Sequence, residues 1–149
     1  MHTKIDKTLE HILFLARHFN KSDVRYIILI LLMELNVPTK CIGFELLAKG
    51  ISLCVNEPSA VLINGLYYCI AKQCSEKVSE EQIEQAIRAA IKIAWKHRDL
   101  EIWGLYFLSD EGGDVVKPSN YEFITRIARL VELWKGCCKD VSGKEGSNE

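Results

Sequence analysis

The sequence has few prolines and no long apolar run. Three prolines and nine glycines in 149 residues leave little material for a fold built on hairpins. The longest apolar run, 26–33, is far shorter than the roughly 20 residues that cross a bilayer. The first residues also lack the charged-then-apolar layout of a signal peptide. These absences predict an all-α protein of the cytoplasm with no membrane segment.

The chain also has almost no net charge. Its formal charge is -1 at pH 7, so the whole molecule does not attract phosphate backbones strongly. Any affinity for nucleic acid must therefore come from a local group of side chains. Hydrophobic residues make up 48% of the sequence, which is enough to form one buried core. A chain of 149 residues is too short for two ordinary domains, so we expect one domain.

Metal-binding and catalytic patterns are missing as well. The closest cysteines are Cys69 with Cys74 and Cys137 with Cys138, whereas zinc sites need two cysteines separated by two residues. The sequence has no His-Glu-x-x-His pair, no nucleophile elbow and no phosphate-cradling glycine loop, and Gly112-Gly113 is better explained as a turn. We therefore expect reduced thiols, no metal, no cofactor and no enzymatic activity.

What the sequence does contain is helical periodicity. Apolar residues recur with a period near 3.6, which predicts a compact bundle of about six to seven helices. The predicted helices cover about 8–18, 22–35, 40–55, 58–74, 79–98, 99–108 and 119–135. Gly136 is a suitable stop for the last helix, and the polar segment 137–149 is expected to be a disordered tail.

The helix that starts at Ser79 is the best defined. In a capping box, the Ser79 hydroxyl accepts from the Gln82 amide and the Gln82 side chain accepts from the Ser79 amide. A second box is predicted from Ser119 to Glu122. The polar face of the Ser79 helix carries Glu81, Gln85, Arg88, Ala89, Lys92 and Lys96.

The helices 58–74 and 79–98, joined by the polar turn 75–78, fit a helix-turn-helix. A plain bundle also explains them, with two core helices and a solvated polar face. Spacing alone favours the plain bundle.

Four segments, in this order, resemble one known family: 37–44, 66–72, 86–95 and 117–124. Together they resemble the C-terminal effector domain of the master sporulation response regulator of endospore-forming bacteria, over about 24–135. The resemblance implies a six-helix fold in which the Ser79 helix is the recognition helix of a helix-turn-helix. It also implies duplex DNA as the partner and two copies on adjacent sites.

The resemblance divides the chain into three parts. Residues 1–21 are an extra N-terminal helix, 22–136 the effector domain and 137–149 the tail. The family protein carries a phosphorylatable receiver domain ahead of its effector, whereas here only about twenty residues precede the matching part. We expect a stand-alone effector without a receiver.

The resemblance also places the expected DNA contacts. Gln pairs with adenine, Arg with guanine and Glu with cytosine, so the side chains expected to read bases are Gln82, Glu84, Gln85 and Arg88. The side chains or amides expected at phosphates are those of Lys40, Lys92, Lys96, Lys117, Ser119 and Asn120. For each phosphate candidate the simpler alternative is an ordinary surface group.

The chain departs from the family in its recognition helix. Gln82 and Gln85 stand where the family helix is rich in arginine, and Glu80 and Glu81 add negative charge that opposes DNA phosphates. The turn also looks about two residues longer. Two hypotheses follow. In the first, the chain is a sequence-specific DNA-binding regulator that works as a dimer. In the second, it is a degenerate family member that has lost DNA binding and binds a protein partner or itself through its N-terminal helix.

Overall fold

The computed structural model describes residues 4–107 and 114–146. Within these residues the protein is all-helical, which confirms the predicted class. The helices are α1 (Lys4–Phe19), α2 (Val24–Glu34), α3 (Ile42–Asn56), α4 (Pro58–Asn64), α5 (Leu66–Gln73), α6 (Glu80–Lys96), α7 (Leu100–Tyr106) and α8 (Asn120–Gly146). The predicted Gly112-Gly113 turn lies outside the described residues.

The apolar helix α2 packs against α3 and α8 and leaves Tyr26 and Met33 exposed, so the predicted position in the middle of the bundle belongs to α3 instead. Asp23 caps its start by accepting from the Tyr26 amide at 2.8 Å. Its fully buried side chains are Ile27, Ile28, Leu31 and Leu32. Among the described residues no single helix is long and apolar enough to span a membrane. The pair α3 and α4 passes that test together, but it bends by 108° and α3 is mostly buried.

The predicted helix 58–74 is wrong as a single element, because the chain breaks at Gly65 into α4 and α5. Gly65 has φ +91° and ψ 148°, a conformation that essentially only glycine adopts. The helical period continues on both sides of the break, so periodicity could not reveal it.

Helices α3 and α6 pack at very short range. A Cβ atom on Gly43 would stand 2.4 Å from the Ala86 carbonyl oxygen and 2.7 Å from the Ala90 Cβ. The missing side chain of Gly43, which weakens α3 as an isolated helix, therefore lets α6 dock against it. This contact sets the position of α6.

The last helix is longer than predicted. Helix α8 continues through Gly136 to Gly146, so the expected stop at Gly136 is wrong and 137–146 is helical rather than a disordered tail. Cys137 and Cys138 are buried in the main core. Glycine costs a helix only about 1 kcal/mol relative to alanine, which burial of these side chains offsets.

The N-terminal helix belongs to the same core. α1 packs against α8 and α7, and its buried residues Ile12, Leu15 and Ala16 join the main cluster. Polar contacts hold it further, because the Thr8 hydroxyl donates to the Leu105 carbonyl at 2.7 Å. The large apolar side chains that α1 leaves exposed are Leu9 and Phe14.

A polar cluster joins α1, α2 and α7. The Glu34 carboxylate accepts from the Tyr106 hydroxyl at 3.2 Å and lies 3.0 Å from His11 Nε2. Burial and the neighbouring Glu34 carboxylate raise the pKa of Tyr106 well above its usual range. The phenol therefore stays protonated and donates to Glu34.

Candidate nucleic-acid interface

Helix α6 begins with the predicted capping box, which is confirmed. The Gln82 amide donates to Ser79 Oγ at 3.1 Å, and the Ser79 amide donates to Gln82 Oε1 at 3.0 Å. The Gln82 side chain is exposed, but its oxygen already has a partner. Its Nε2 group remains the part that can face a base.

The side of α6 opposite the core presents the predicted polar face. Arg88, Lys92 and Lys96 follow one another at intervals of four residues, and all three are exposed. Gln85 lies on the same face and donates to the Glu81 carboxylate at 3.4 Å. Three cations at this spacing form one positive row along the helix.

The row is weakened near its start by acidic groups. Arg88, 64% exposed, pairs with Glu84 one turn earlier in α6. Glu80 and Glu81 are exposed in the first turn. Acidic residues at a helix N-terminus stabilise the helix through its dipole, but they oppose a phosphate backbone.

A groove of about 390 Å³ separates α6 from the start of α8. It brings together five of the residues predicted from the sequence, although they come from two segments about thirty positions apart. These are Glu84, Arg88, Lys117, Ser119 and Asn120. Lys117 is exposed and lines this groove together with Arg88.

Asn120 joins the two sides of this groove. Its Nδ2 group donates to the Glu84 carbonyl at 3.0 Å and to the Tyr67 hydroxyl at 3.1 Å. The Asn120 side chain therefore links the start of α8 to α6 and α5. This leaves its backbone amide as the group that can meet an anion.

Ser119 caps α8. Its Oγ accepts from the Glu122 amide at 3.2 Å, which is the first half of the predicted second capping box. The serine hydroxyl and the first amides of α8 therefore sit at the positive end of a helix dipole, at the edge of the groove.

Three predicted phosphate residues lie outside the groove lining. Lys92 and Lys96 are on the exposed face of α6, beyond Arg88. Lys40 is exposed in the turn before α3, whose first turn packs on α6 at Ala86 and Ala90. The structure thus places Lys40 beside the docking point of α6 and on a different element from the other candidates.

Tyr67 is the groove residue whose role sequence reasoning missed. It occupies an ordinary position on α5, and no motif marks a tyrosine whose hydroxyl accepts from a residue 53 positions later. Only the packing of α5 against α6, together with the hydrogen bond from Asn120 at the start of α8, reveals it.

Helices α5 and α6 contact each other and are joined by residues 74–79. The arrangement is compatible with a helix-turn-helix in which α6 is the second helix. Within 4–107 and 114–146, no group of three or more His, Cys, Asp or Glu side chains could hold a metal ion.

The family model described as the C-terminal domain of the sporulation initiation factor Spo0A matches residues 28–131. The chain belongs to this family. The resemblance predicted from the sequence is therefore confirmed. The Spo0A C-terminal domain is a DNA-binding effector of transcription and not an enzyme. The matched region contains the whole groove between α6 and α8, whereas α1 and the end of α8 lie beyond it.

Proposed function

We propose that this protein is a sequence-specific DNA-binding regulator of transcription, acting in the bacterial cytoplasm with α6 as its recognition helix. The observation that carries the proposal is the groove between α6 and the start of α8. It places residue types suited to base edges next to residue types suited to phosphates, in a chain of the Spo0A C-terminal family.

Base recognition is assigned to Gln82, Glu84, Gln85 and Arg88. The Arg88 guanidinium matches the two acceptors of guanine in the major groove, and the Glu84 carboxylate can accept from the amino group of the paired cytosine. Their exposed ion pair on α6 is weak and is exchanged on binding for these contacts. The Gln85 side chain can pair with adenine. Gln82 can donate from its Nε2 group, while its Oε1 atom continues to accept from the Ser79 amide at the helix cap.

Phosphate binding is assigned to residues on both sides of the groove. Lys117 and the amides at Ser119 and Asn120 hold one DNA strand at the start of α8. Lys92, Lys96 and Lys40 add sequence-independent attraction around α6. Because the net charge is only -1, this local group supplies the electrostatic part of the affinity.

We also propose that α1 and the effector core fold and bind DNA as one unit, with no receiver domain required for either. The support is that α1 shares the core of the effector domain through Ile12, Leu15 and Ala16.

The test is selection of the purified full chain against a randomised pool of duplex DNA at two salt concentrations. Enrichment of one short motif, with affinity falling as salt rises, is the expected result. Arg88→Ala should lose discrimination at one base position, by about 1 to 3 kcal/mol. The matched control is Arg17→Ala, which removes an exposed arginine from α1 and should leave the motif unchanged.

A second candidate function is protein binding without DNA. Two of the side chains on α6 that would read bases already have partners within the protein, which favours this function. Arg88 pairs with Glu84, and the Gln82 side-chain oxygen accepts from the Ser79 amide. An absence of DNA binding even at low salt would select it. A partner on α1 would meet Leu9 and Phe14, because the other large apolar groups described on that helix face the core or are half-buried.

A further inference from the structure

Tyr121 is an exposed tyrosine that the fold itself does not use. It lies in the first turn of α8 and is 61% exposed. Within residues 4–107 and 114–146, its hydroxyl forms no hydrogen bond and its ring pairs with no other ring or cation. The other four tyrosines each have such a contact: Tyr26, Tyr67, Tyr68 and Tyr106. Packing within the chain therefore gives no reason for a tyrosine at position 121.

The backbone that carries Tyr121 is held firmly. The preceding residue, Asn120, is hydrogen-bonded to α6 and α5. The Tyr121 carbonyl accepts from the Thr125 hydroxyl at 2.8 Å. Phe123 and Ile124, two and three positions later, are fully buried and fix the rotation of α8 about its axis. A contact made through the Tyr121 side chain therefore costs little backbone entropy.

Tyr121 lines the candidate DNA groove together with Arg88, Lys117 and Ser119. Its neighbours at the start of α8 suit an anion, because Lys117 is a cation and Ser119 lies at the positive end of the helix dipole. A phenol hydroxyl is one of the neutral groups that donate to phosphate oxygens in complexes with DNA. An aromatic ring also offers apolar area to the sugar beside that phosphate.

We propose that Tyr121 contacts the DNA backbone, with its hydroxyl donating to a phosphate oxygen and its ring packing against the adjoining deoxyribose. Such a contact positions α8 on the duplex and carries no sequence information. The inference rests on the proposed function, because it concerns the same groove. It adds a residue that no capping, charge or family pattern in the sequence indicates.

This contact is neutral, which distinguishes it from the proposed lysine contacts. A lysine at a phosphate releases counterions, so its removal makes affinity less dependent on salt. A phenol carries no charge and releases none. Tyr121→Phe should therefore weaken binding by about the same factor at every salt concentration. Lys117→Ala should instead reduce the salt slope by about 1.

The experiment is titration of the full chain with the duplex obtained by selection, between about 50 and 200 mM salt. Tyr121→Phe removes only the hydroxyl and should weaken binding on the order of 10-fold. Tyr121→Ala also removes the ring and should weaken it by about a further 3- to 10-fold. Both variants should select the same motif and unfold in urea as the unsubstituted chain does, because the side chain is exposed. The matched control is Tyr26→Phe, at a tyrosine that is 50% exposed on α2, which should bind DNA normally.

A phosphate scan gives a second, independent readout. Single phosphates of the duplex are replaced in turn by neutral methylphosphonates, and each duplex is titrated with the unsubstituted chain and with Tyr121→Phe. One replacement should weaken binding of the unsubstituted chain and have a clearly smaller effect on the variant, because the two changes remove the same contact.

The outcomes separate this inference from the proposed function. If the unsubstituted chain selects no DNA, both fail. If it selects a motif but Tyr121→Phe binds equally well, alters the motif or gives the same methylphosphonate pattern, the role of Tyr121 is overturned while the proposed function stands.

Discussion

At the scale of single residues, Asn120 determines how the two sides of the candidate DNA groove are held. Its Nδ2 group reaches one acceptor on α6 and one on α5, at 3.0 Å and 3.1 Å. It was predicted as a phosphate contact, a role that remains a proposal for its backbone amide. Its side chain instead aligns Lys117 and Ser119 with Arg88.

Asn120→Ala should weaken DNA binding and stability together. It leaves the half-buried Tyr67 hydroxyl and the Glu84 carbonyl without this donor, which costs about 1 to 3 kcal/mol. Tyr67→Phe removes one of the two bonds and should cost less in both measurements. Urea unfolding and titration with the selected DNA duplex give the two values, and equal losses in the two variants would contradict the linking role of Asn120.

Tyr106 makes stability depend on alkaline pH. Burial, and then the Glu34 carboxylate, raise its pKa in the folded protein, whereas a tyrosine in the unfolded chain ionises near pH 10. Between these two values the unfolded chain loses a proton that the folded chain keeps. The free energy of unfolding should therefore fall as pH rises above about 10, by up to about 1.4 kcal/mol per pH unit.

Tyr106→Phe isolates this contribution. The variant loses the hydrogen bond to Glu34 at every pH, but its stability should decline less steeply above pH 10. Urea midpoints of both proteins between pH 8.5 and 10.5 test this. Parallel declines would mean that other tyrosines account for the whole effect.

At the scale of elements, the contact between α3 and α6 sets the position of α6, the proposed recognition helix. Gly43→Ala should lower stability by about 1 to 3 kcal/mol and weaken DNA binding, because the new Cβ would overlap the Ala86 carbonyl and push α6 away. Gly104→Ala in α7 is the matched control. Nothing lies within 4 Å of its new Cβ, so it should be neutral or stabilise by up to about 1 kcal/mol. A stabilising Gly43→Ala in thermal melts would contradict the close-packing interpretation.

The observed helix boundaries show which sequence signals were sufficient to predict where a helix begins or ends. The capping residues Ser79 and Ser119 predicted the starts of α6 and α8, because a cap is a local hydrogen bond that the sequence alone encodes. Gly65 and Gly136 were both misjudged, one as helix interior and the other as a stop. The same residue type breaks one helix and continues in another because the surrounding packing decides which conformation is stabilised.

At the scale of the whole molecule, both ends of the chain complete the core. α1 and the end of α8 lie outside the family match at 28–131, yet Ile12, Leu15, Trp134 and Cys138 belong to the main core. The main core therefore includes residues on both sides of positions 22 and 136, and the division of the chain at these positions stays a prediction. We expect the isolated segment 22–136 to be less stable than the full chain.

Deletion of 137–149 tests this directly. The shortened chain loses the buried Cys137 and Cys138 and should unfold more easily, by about 1 to 3 kcal/mol, whereas deletion of 147–149 leaves α8 whole and should be neutral. Residue 137 is about 25 Å along α8 from the groove, at 1.5 Å per residue, so DNA affinity should persist while the chain is folded. Equal stability of the two shortened chains would support the disordered tail that the sequence suggested.

The sequence by itself determined the all-α class, the capped start of α6 and the family, because periodicity, capping and family motifs are local patterns. It also named five of the residues that meet in the groove, namely Glu84, Arg88, Lys117, Ser119 and Asn120. Only the tertiary structure decided that Asn120 links α5, α6 and α8, that Gly43 admits α6, and that Tyr121 remains uncovered. These features depend on contacts between segments far apart in the chain, and the free energy of such contacts exists only once the helices have packed.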